Sequence, residues 1–190
     1  AARVVTVGTG PDVDHRYGGV TLDERLRPSF TLGGVTMTVP LHGGHHAGNA
    51  ALAAVAAHEA LGVPFADSAA ALAGATGARW RMELLETDEG VVVLNDAYNA
   101  NPTSMAAAID ALAALGVAGR RIAVLGDMRE LGEHHDSAHR AAGERVAAAG
   151  VDLLVGVGTG GAVMAAAAAA AGVEVDTVDD AGAAGELVAA

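Results

Sequence analysis

Short apolar blocks open the chain. Arg3–Thr9 (Arg-Val-Val-Thr-Val-Gly-Thr) reads as a short strand. Ser29–Leu32 and Val35–Val39 flank Gly33-Gly34, which is the signal of a two-residue hairpin. The pattern then lengthens. Ala47–Leu61 predicts a helix that Gly62 and Pro64 end. A second helix is predicted over Ala66–Ala73 with Asp67 or Ser68 near its cap, and Gly74–Gly77 reads as a linker. Beyond it the rhythm changes to alternation. Strands are predicted at Val91–Asn95, Arg121–Gly126, Asp152–Gly156 and Val173–Val178. Helices are predicted between them at Ser104–Leu115, Asp136–Ala149 and Gly161–Ala171, and Asp179–Ala190 opens another. Arg79–Leu85 is a candidate strand pairing with Val91–Asn95 across Asp88-Glu89-Gly90. This alternation predicts an α/β fold: a Rossmann-like, mainly parallel sheet with crossover helices over residues 79–190. A strand-and-helix domain over residues 1–78 precedes it.

Composition narrows the function. Of 190 residues, 52% are hydrophobic and only 3% aromatic, so Ala, Val and Leu must build the core. Eleven basic residues against 23 acidic ones leave a net charge of −12, which disfavours nucleic acid as a partner. With no cysteine there is neither a disulfide framework nor a thiolate metal site. The longest apolar run, Ala162–Ala171, is too short for a membrane span, and no signal peptide is visible. All 11 basic side chains are arginine, so a Gly-x-x-x-x-Gly-Lys-[Ser/Thr] phosphate loop is absent.

Candidate chemistry concentrates at predicted strand ends and one helix start. Asn95-Asp96-Ala97-Tyr98-Asn99-Ala100-Asn101-Pro102 follows a Val-rich strand and precedes a helix. Ligands bind at that edge of an open α/β sheet, and Asp96, Tyr98, Asn99 and Asn101 carry more polar chemistry than a turn requires. Asp127 ends the next strand after Gly126; it either caps a turn or faces the same cleft. His42-Gly43-Gly44-His45-His46 opens the first helix, with Asn49 one turn after His45, so His45 and Asn49 share a face. Helix-start structure, ligand contact and a metal remain alternatives there, although no nearby carboxylate completes a metal set. His134, His135 and His139 read as a solvated helix start. Gly156-x-Gly158-x-x-Gly161 between a strand and a helix, with Glu174 and Asp176 on the next strand, weakly matches a dinucleotide fingerprint. It supports an alternative reading as a stand-alone dinucleotide-binding module. Arg79 and Arg81 flank Trp80 just past the linker.

In order along the chain stand His45-x-x-x-Asn49, Arg81, Asn95-Asp-Ala-Tyr-Asn-Ala-Asn-Pro102 and Leu125-Gly-Asp-Met-x-Glu-Leu-Gly132. This series resembles the Mur ligase family over nearly the whole chain. The last two motifs carry the resemblance most specifically, and the substrates it implies are UDP-N-acetylmuramoyl-tripeptide and D-alanyl-D-alanine. The resemblance implies a cytoplasmic, ATP- and Mg²⁺-dependent ligase of peptidoglycan synthesis that works through an acyl phosphate. It implies adenosine contacts from His45, Asn49, Arg81, Asp96, Tyr98 and Asn99, and substrate contacts from Asn101 and Asp127. The family's phosphate loop, Mg²⁺ ligands and modified lysine match nothing here, and His46 stands where Asn is more usual. The expectation is a piece cut at both ends: the tail of the central ATPase domain plus most of the C-terminal domain, inactive alone.

Overall fold

The structure, a computed structural model, describes residues 3–189. Contacts divide the chain into two compact units, residues 1–95 and 96–190. The boundary expected near residue 78 lies between the last helix and the last hairpin of the first unit.

The first unit opens with β1 (Val7–Gly8), β2 (His15–Leu22), β3 (Pro28–Leu32) and β4 (Val35–Thr38), hydrogen-bonded in that order. β1 is much shorter than the Arg3–Thr9 strand expected, and it pairs parallel with β2. β2 was not anticipated: it is half exposed, and its register shifts between Gly18 and Thr21. Gly33 and Gly34 join β3 to β4 with φ of +56° and +77°. Both values are left-handed, as a tight hairpin between right-twisted strands requires. Alternation then sorts the side chains. Phe30, Leu32, Met37 and Val39 are fully buried against Ala47, Ala50, Ala51, Ala54 and Val55 of α1 (His45–Leu61). Small helix residues allow that close approach, and burying Phe30 alone contributes roughly 1.5–3 kcal/mol.

α1 begins two residues earlier than the apolar pattern predicted and ends at Gly62, whose φ is +71°. α2 (Phe65–Leu72) follows Pro64, so Asp67 sits in its first turn rather than capping it. β5 (Glu83–Glu86) and β6 (Val92–Asn95) pair antiparallel as anticipated. The strand expected to lead the parallel series is thus part of a separate two-stranded sheet.

The second unit begins with α3 (Pro102–Ala114), continues through β7 (Ile122–Leu125) and a 3₁₀ turn (Gly132–His134), and reaches α4 (His135–Ala148). β8 (Leu153–Val157), α5 (Gly158–Ala170), β9 (Glu174–Val178) and α6 (Ala181–Ala189) complete it; Ala190, the last residue of the predicted terminal helix, lies outside the described residues. β7, β8 and β9 form a parallel sheet in chain order. β8 is buried on both faces, as a central parallel strand must be. Leu154 packs with Met105, Ile109, Val146, Met164 and Ala168, while Leu153 and Val155 pack with Ala184.

Candidate functional site

In the first unit three loops converge on Gly43. Its N–H donates to the Leu26 carbonyl at 2.8 Å, and its φ is +112°. A Cβ placed on Gly43 would stand 2.8 Å from the His45 ring and 3.1 Å from Met82 Cε, so only glycine fits between them. His42 Nδ1 lies 2.6 Å from the Arg25 carbonyl. The structure therefore brings together the 23–27 loop, the start of α1 and the segment carrying Arg81. His45, Asn49 and Arg81 are all exposed, the first two one helical turn apart. Arg81 sits between two non-glycine residues in left-handed backbone, Trp80 at φ +61° and Met82 at φ +50°, and Met82 is 3% exposed. Such conformations are sparse for bulky side chains and persist only where surrounding contacts over-determine them. His46 is half-buried, and its ring centroid lies 4.1 Å from that of His45. Burial first, then the charges His45 and His42 would carry, pushes its pKa down from 6.5 to about 4.

The polar loop after β6 is the start of the second unit. Asp96 is half-buried, while Tyr98 and Asn99 are exposed, Tyr98 by 61%. Asn99 turns its carbonyl oxygen toward the Ala100 N–H at 3.0 Å. Asn101 has a structural task as well. Its side-chain oxygen accepts the Ser104 N–H at 2.9 Å, and its own N–H donates to Ser104 Oγ at 3.1 Å. This reciprocal capping box, with Pro102 in the first turn, fixes where α3 starts.

The third strand-end group surrounds Asp127. Its carboxylate accepts the Gly160 N–H in the first turn of α5 and stands 3.5 Å from Thr159 Oγ1. The next residue, Met128, donates its N–H to His139 Nε2 at 2.9 Å. His139 is fully buried, and its Nδ1 lies 2.7 Å from the His135 carbonyl. Nε2 accepting and Nδ1 donating make this a neutral imidazole. The solvated reading of the second histidine group is therefore wrong for His139. Its ring bonds back to the His135 carbonyl one turn earlier and receives the Met128 N–H from beyond its own helix.

The glycines of 156–161 serve packing. A Cβ on Gly156 would lie 2.2 Å from the Gly161 carbonyl oxygen, and one on Gly160 would lie 2.3 Å from His139 Nε2 and 2.5 Å from Asp127 Oδ1. In a dinucleotide site the helix N-terminus would meet a pyrophosphate. Here Asp127, a carboxylate of the chain itself, takes that N–H. Among the described residues no group of three His, Asp or Glu side chains stands close enough to hold a metal ion. No helix among them is long and apolar enough to cross a membrane.

Residues 80–190 match the family model described as Mur ligase, glutamate ligase domain. The chain is 38% identical over 164 residues to the UDP-N-acetylmuramoyl-tripeptide–D-alanyl-D-alanine ligase of Bacillus subtilis, an alignment covering 85% of this chain and 35% of that protein. It is 41% identical over 169 residues to the Mycobacterium tuberculosis enzyme of the same name, covering 84% and 33%. Among solved structures, a MurF crystal structure from Acinetobacter baumannii superposes with a TM-score of 0.80 at 28% identity, covering 94% of this chain and 39% of that one. The chain thus spans about a third of the length of the curated relatives it matches.

Proposed function

Because this chain belongs to the Mur ligase family, we propose that it forms part of an ATP-dependent ligase joining D-alanyl-D-alanine to UDP-N-acetylmuramoyl-tripeptide. The reaction runs through an acyl phosphate on the tripeptide carboxylate, which the dipeptide amine attacks, in cytoplasmic synthesis of peptidoglycan precursors. One observation carries this reading: two relatives bearing that activity in their names are 38% and 41% identical over 85% and 84% of the chain. The strand-end and helix-start groups support it chemically.

In this reading residues 1–78 are the end of the central ATP-binding domain and residues 79–190 the C-terminal ligase domain. His45, Asn49 and Arg81 hold the adenosine side of ATP from the first unit, Asn49 offering both donor and acceptor to the base edge. Asp96 accepts from ribose hydroxyls, with Tyr98 and Asn99 beside it. Asp127 and Asn101 serve the dipeptide. The Asn101 oxygen caps α3, so its amide NH₂ is what it offers a substrate.

The chain contains no lysine and no phosphate-loop motif, and phosphoryl transfer depends on cradling and neutralising phosphate charge. The 190 residues alone are therefore inactive, and the Mg²⁺ ligands and phosphate loop belong to other segments of the protein. The test is a phosphate-release assay on the product of the extended coding sequence and on the 190-residue chain. Turnover by the extended protein requires ATP, tripeptide precursor and D-alanyl-D-alanine together. Turnover with a different amine acceptor, or none with all three substrates, overturns the assignment. Turnover by the short chain overturns its inactivity.

A further inference from the structure

The loop that leaves β7 is held from three directions. Met128 sinks its side chain into the core of the second unit, with Met105, Ile109 and Met164. Its N–H is buried as well, and a buried N–H must find an acceptor. His139 of α4 supplies one: Nε2 accepts at 2.9 Å, while Nδ1 donates to the His135 carbonyl at 2.7 Å. The ring is fully buried and tied at both nitrogens. It is therefore a rigid strut between α4 and the peptide that joins Asp127 to Met128. Asp127 itself is exposed, and its Oδ1 accepts the Gly160 N–H at the start of α5. Oδ2 stands 3.5 Å from Thr159 Oγ1 and is the oxygen offered to a substrate. Carboxylate and ring share one wall, since a Cβ on Gly160 would strike both. That closeness restricts the acceptor. A carboxylate in place of His139 would bury a second negative charge beside Asp127. A neutral imidazole takes the N–H without that repulsion.

We propose that His139 is a positioning residue for the ligation: through the Met128 N–H it fixes the direction in which Asp127 presents Oδ2 to the dipeptide. This rests on the reading of Asp127 as a dipeptide contact. An ionised carboxylate only accepts, so it meets the dipeptide at its amine or its peptide N–H. His139 touches no substrate. It acts by removing freedom from the residue that does, and a displacement of about 1 Å at a positioning group can cost up to about a hundredfold.

Phosphate-release kinetics of the extended enzyme test this with His139→Gln, His139→Asn, Asp127→Ala and the double variant of the last two. Glutamine carries its amide oxygen to about where Nε2 stands and keeps the acceptor. Asparagine reaches only as far as Nδ1 and leaves the Met128 N–H without one. His139→Asn raises the KM for D-alanyl-D-alanine by about tenfold and keeps the KM for ATP within about twofold. His139→Gln restores the dipeptide KM to within about threefold of the parent. Asp127→Ala raises the same KM, and adding His139→Asn raises it no further, because His139 acts only through that carboxylate. In 15N spectra of the histidine-labelled parent, the His139 signal, assigned by its loss in either His139 variant, is that of an Nδ1–H tautomer. Equal rises in both KM values, no rescue by glutamine, additive effects in the double variant or an Nε2–H tautomer overturns the positioning role. A dipeptide KM raised in Asp127→Ala but unchanged in His139→Asn overturns His139 and leaves Asp127. A dipeptide KM unchanged in Asp127→Ala overturns both.

Discussion

His46 lies against His45 at the start of α1, and its lowered pKa of about 4 couples the fold to pH. The folded first unit disfavours the imidazolium. Between about pH 6.5 and pH 4 the unfolded chain therefore holds a proton that the folded chain does not. Stability is full above that window and declines as the pH falls through it. The loss is on the order of 1–2 kcal/mol, less than the whole shift implies, because His46 keeps some contact with water. His46→Asn cannot titrate and should flatten the dependence. Urea midpoints of both proteins at about pH 7 and about pH 4.5 check it; equal acid sensitivity would place the titration elsewhere. A second residue-level outcome concerns glycine. Gly160→Ala drives a methyl group into His139 and Asp127 and should destabilise by about 3 kcal/mol, the upper end for overpacking. Gly185→Ala in α6 meets nothing within 4 Å and should stabilise by up to about 1 kcal/mol through helix propensity alone. Urea unfolding of the pair separates close packing from composition.

At the scale of elements, α3 shows a structural and a functional role meeting on one side chain. Asn101→Ala removes the cap and should cost about 1 kcal/mol. Asn101→Asp keeps the acceptor for the Ser104 N–H but gives up the NH₂. It should leave thermal stability near that of the parent while weakening dipeptide use in the extended enzyme. If Asn101→Asp preserves the KM for the dipeptide, Asn101 only caps. The elements legible from sequence were those whose apolar pattern is complete: β8, apolar on both faces, and the hairpin whose turn is spelled by Gly33-Gly34. β2 escaped because its side chains stay half in water and its glycines blur the alternation. His139 escaped because burial of a histidine depends on an acceptor need, the Met128 N–H, that arises only once β7 and α4 are side by side. The left-handed backbone at Trp80 and Met82 left no trace either, since tertiary contacts rather than residue type impose it. The polar loop Asp96–Asn101 was legible as chemistry; that Asn101 is also the helix cap needed only the Ser three residues on.

For the whole molecule, the balance of charge sets what the chain can do with a nucleotide. Eleven arginines face 23 carboxylates, and several of those arginines are already paired: Arg3 with Glu59, Arg25 with Glu86, Arg27 with Asp23, Arg120 with Glu174 and Arg145 with Asp110. No lysine in the chain and no metal cluster among the described residues waits for the phosphates of a nucleotide bound as proposed. Each further phosphate brings negative charge toward an acidic surface, with neither a metal nor a lysine to offset it. AMP, ADP and ATP should therefore bind the 190-residue chain within about threefold of one another. Raising the salt should leave ATP binding level or strengthen it, because screening relieves repulsion. Calorimetric titrations at low and high salt measure both. ATP binding tenfold tighter than AMP, and weakening with salt, would mean that this chain carries a phosphate cradle of its own, and the division of labour proposed here between its residues and the rest of the protein would fail.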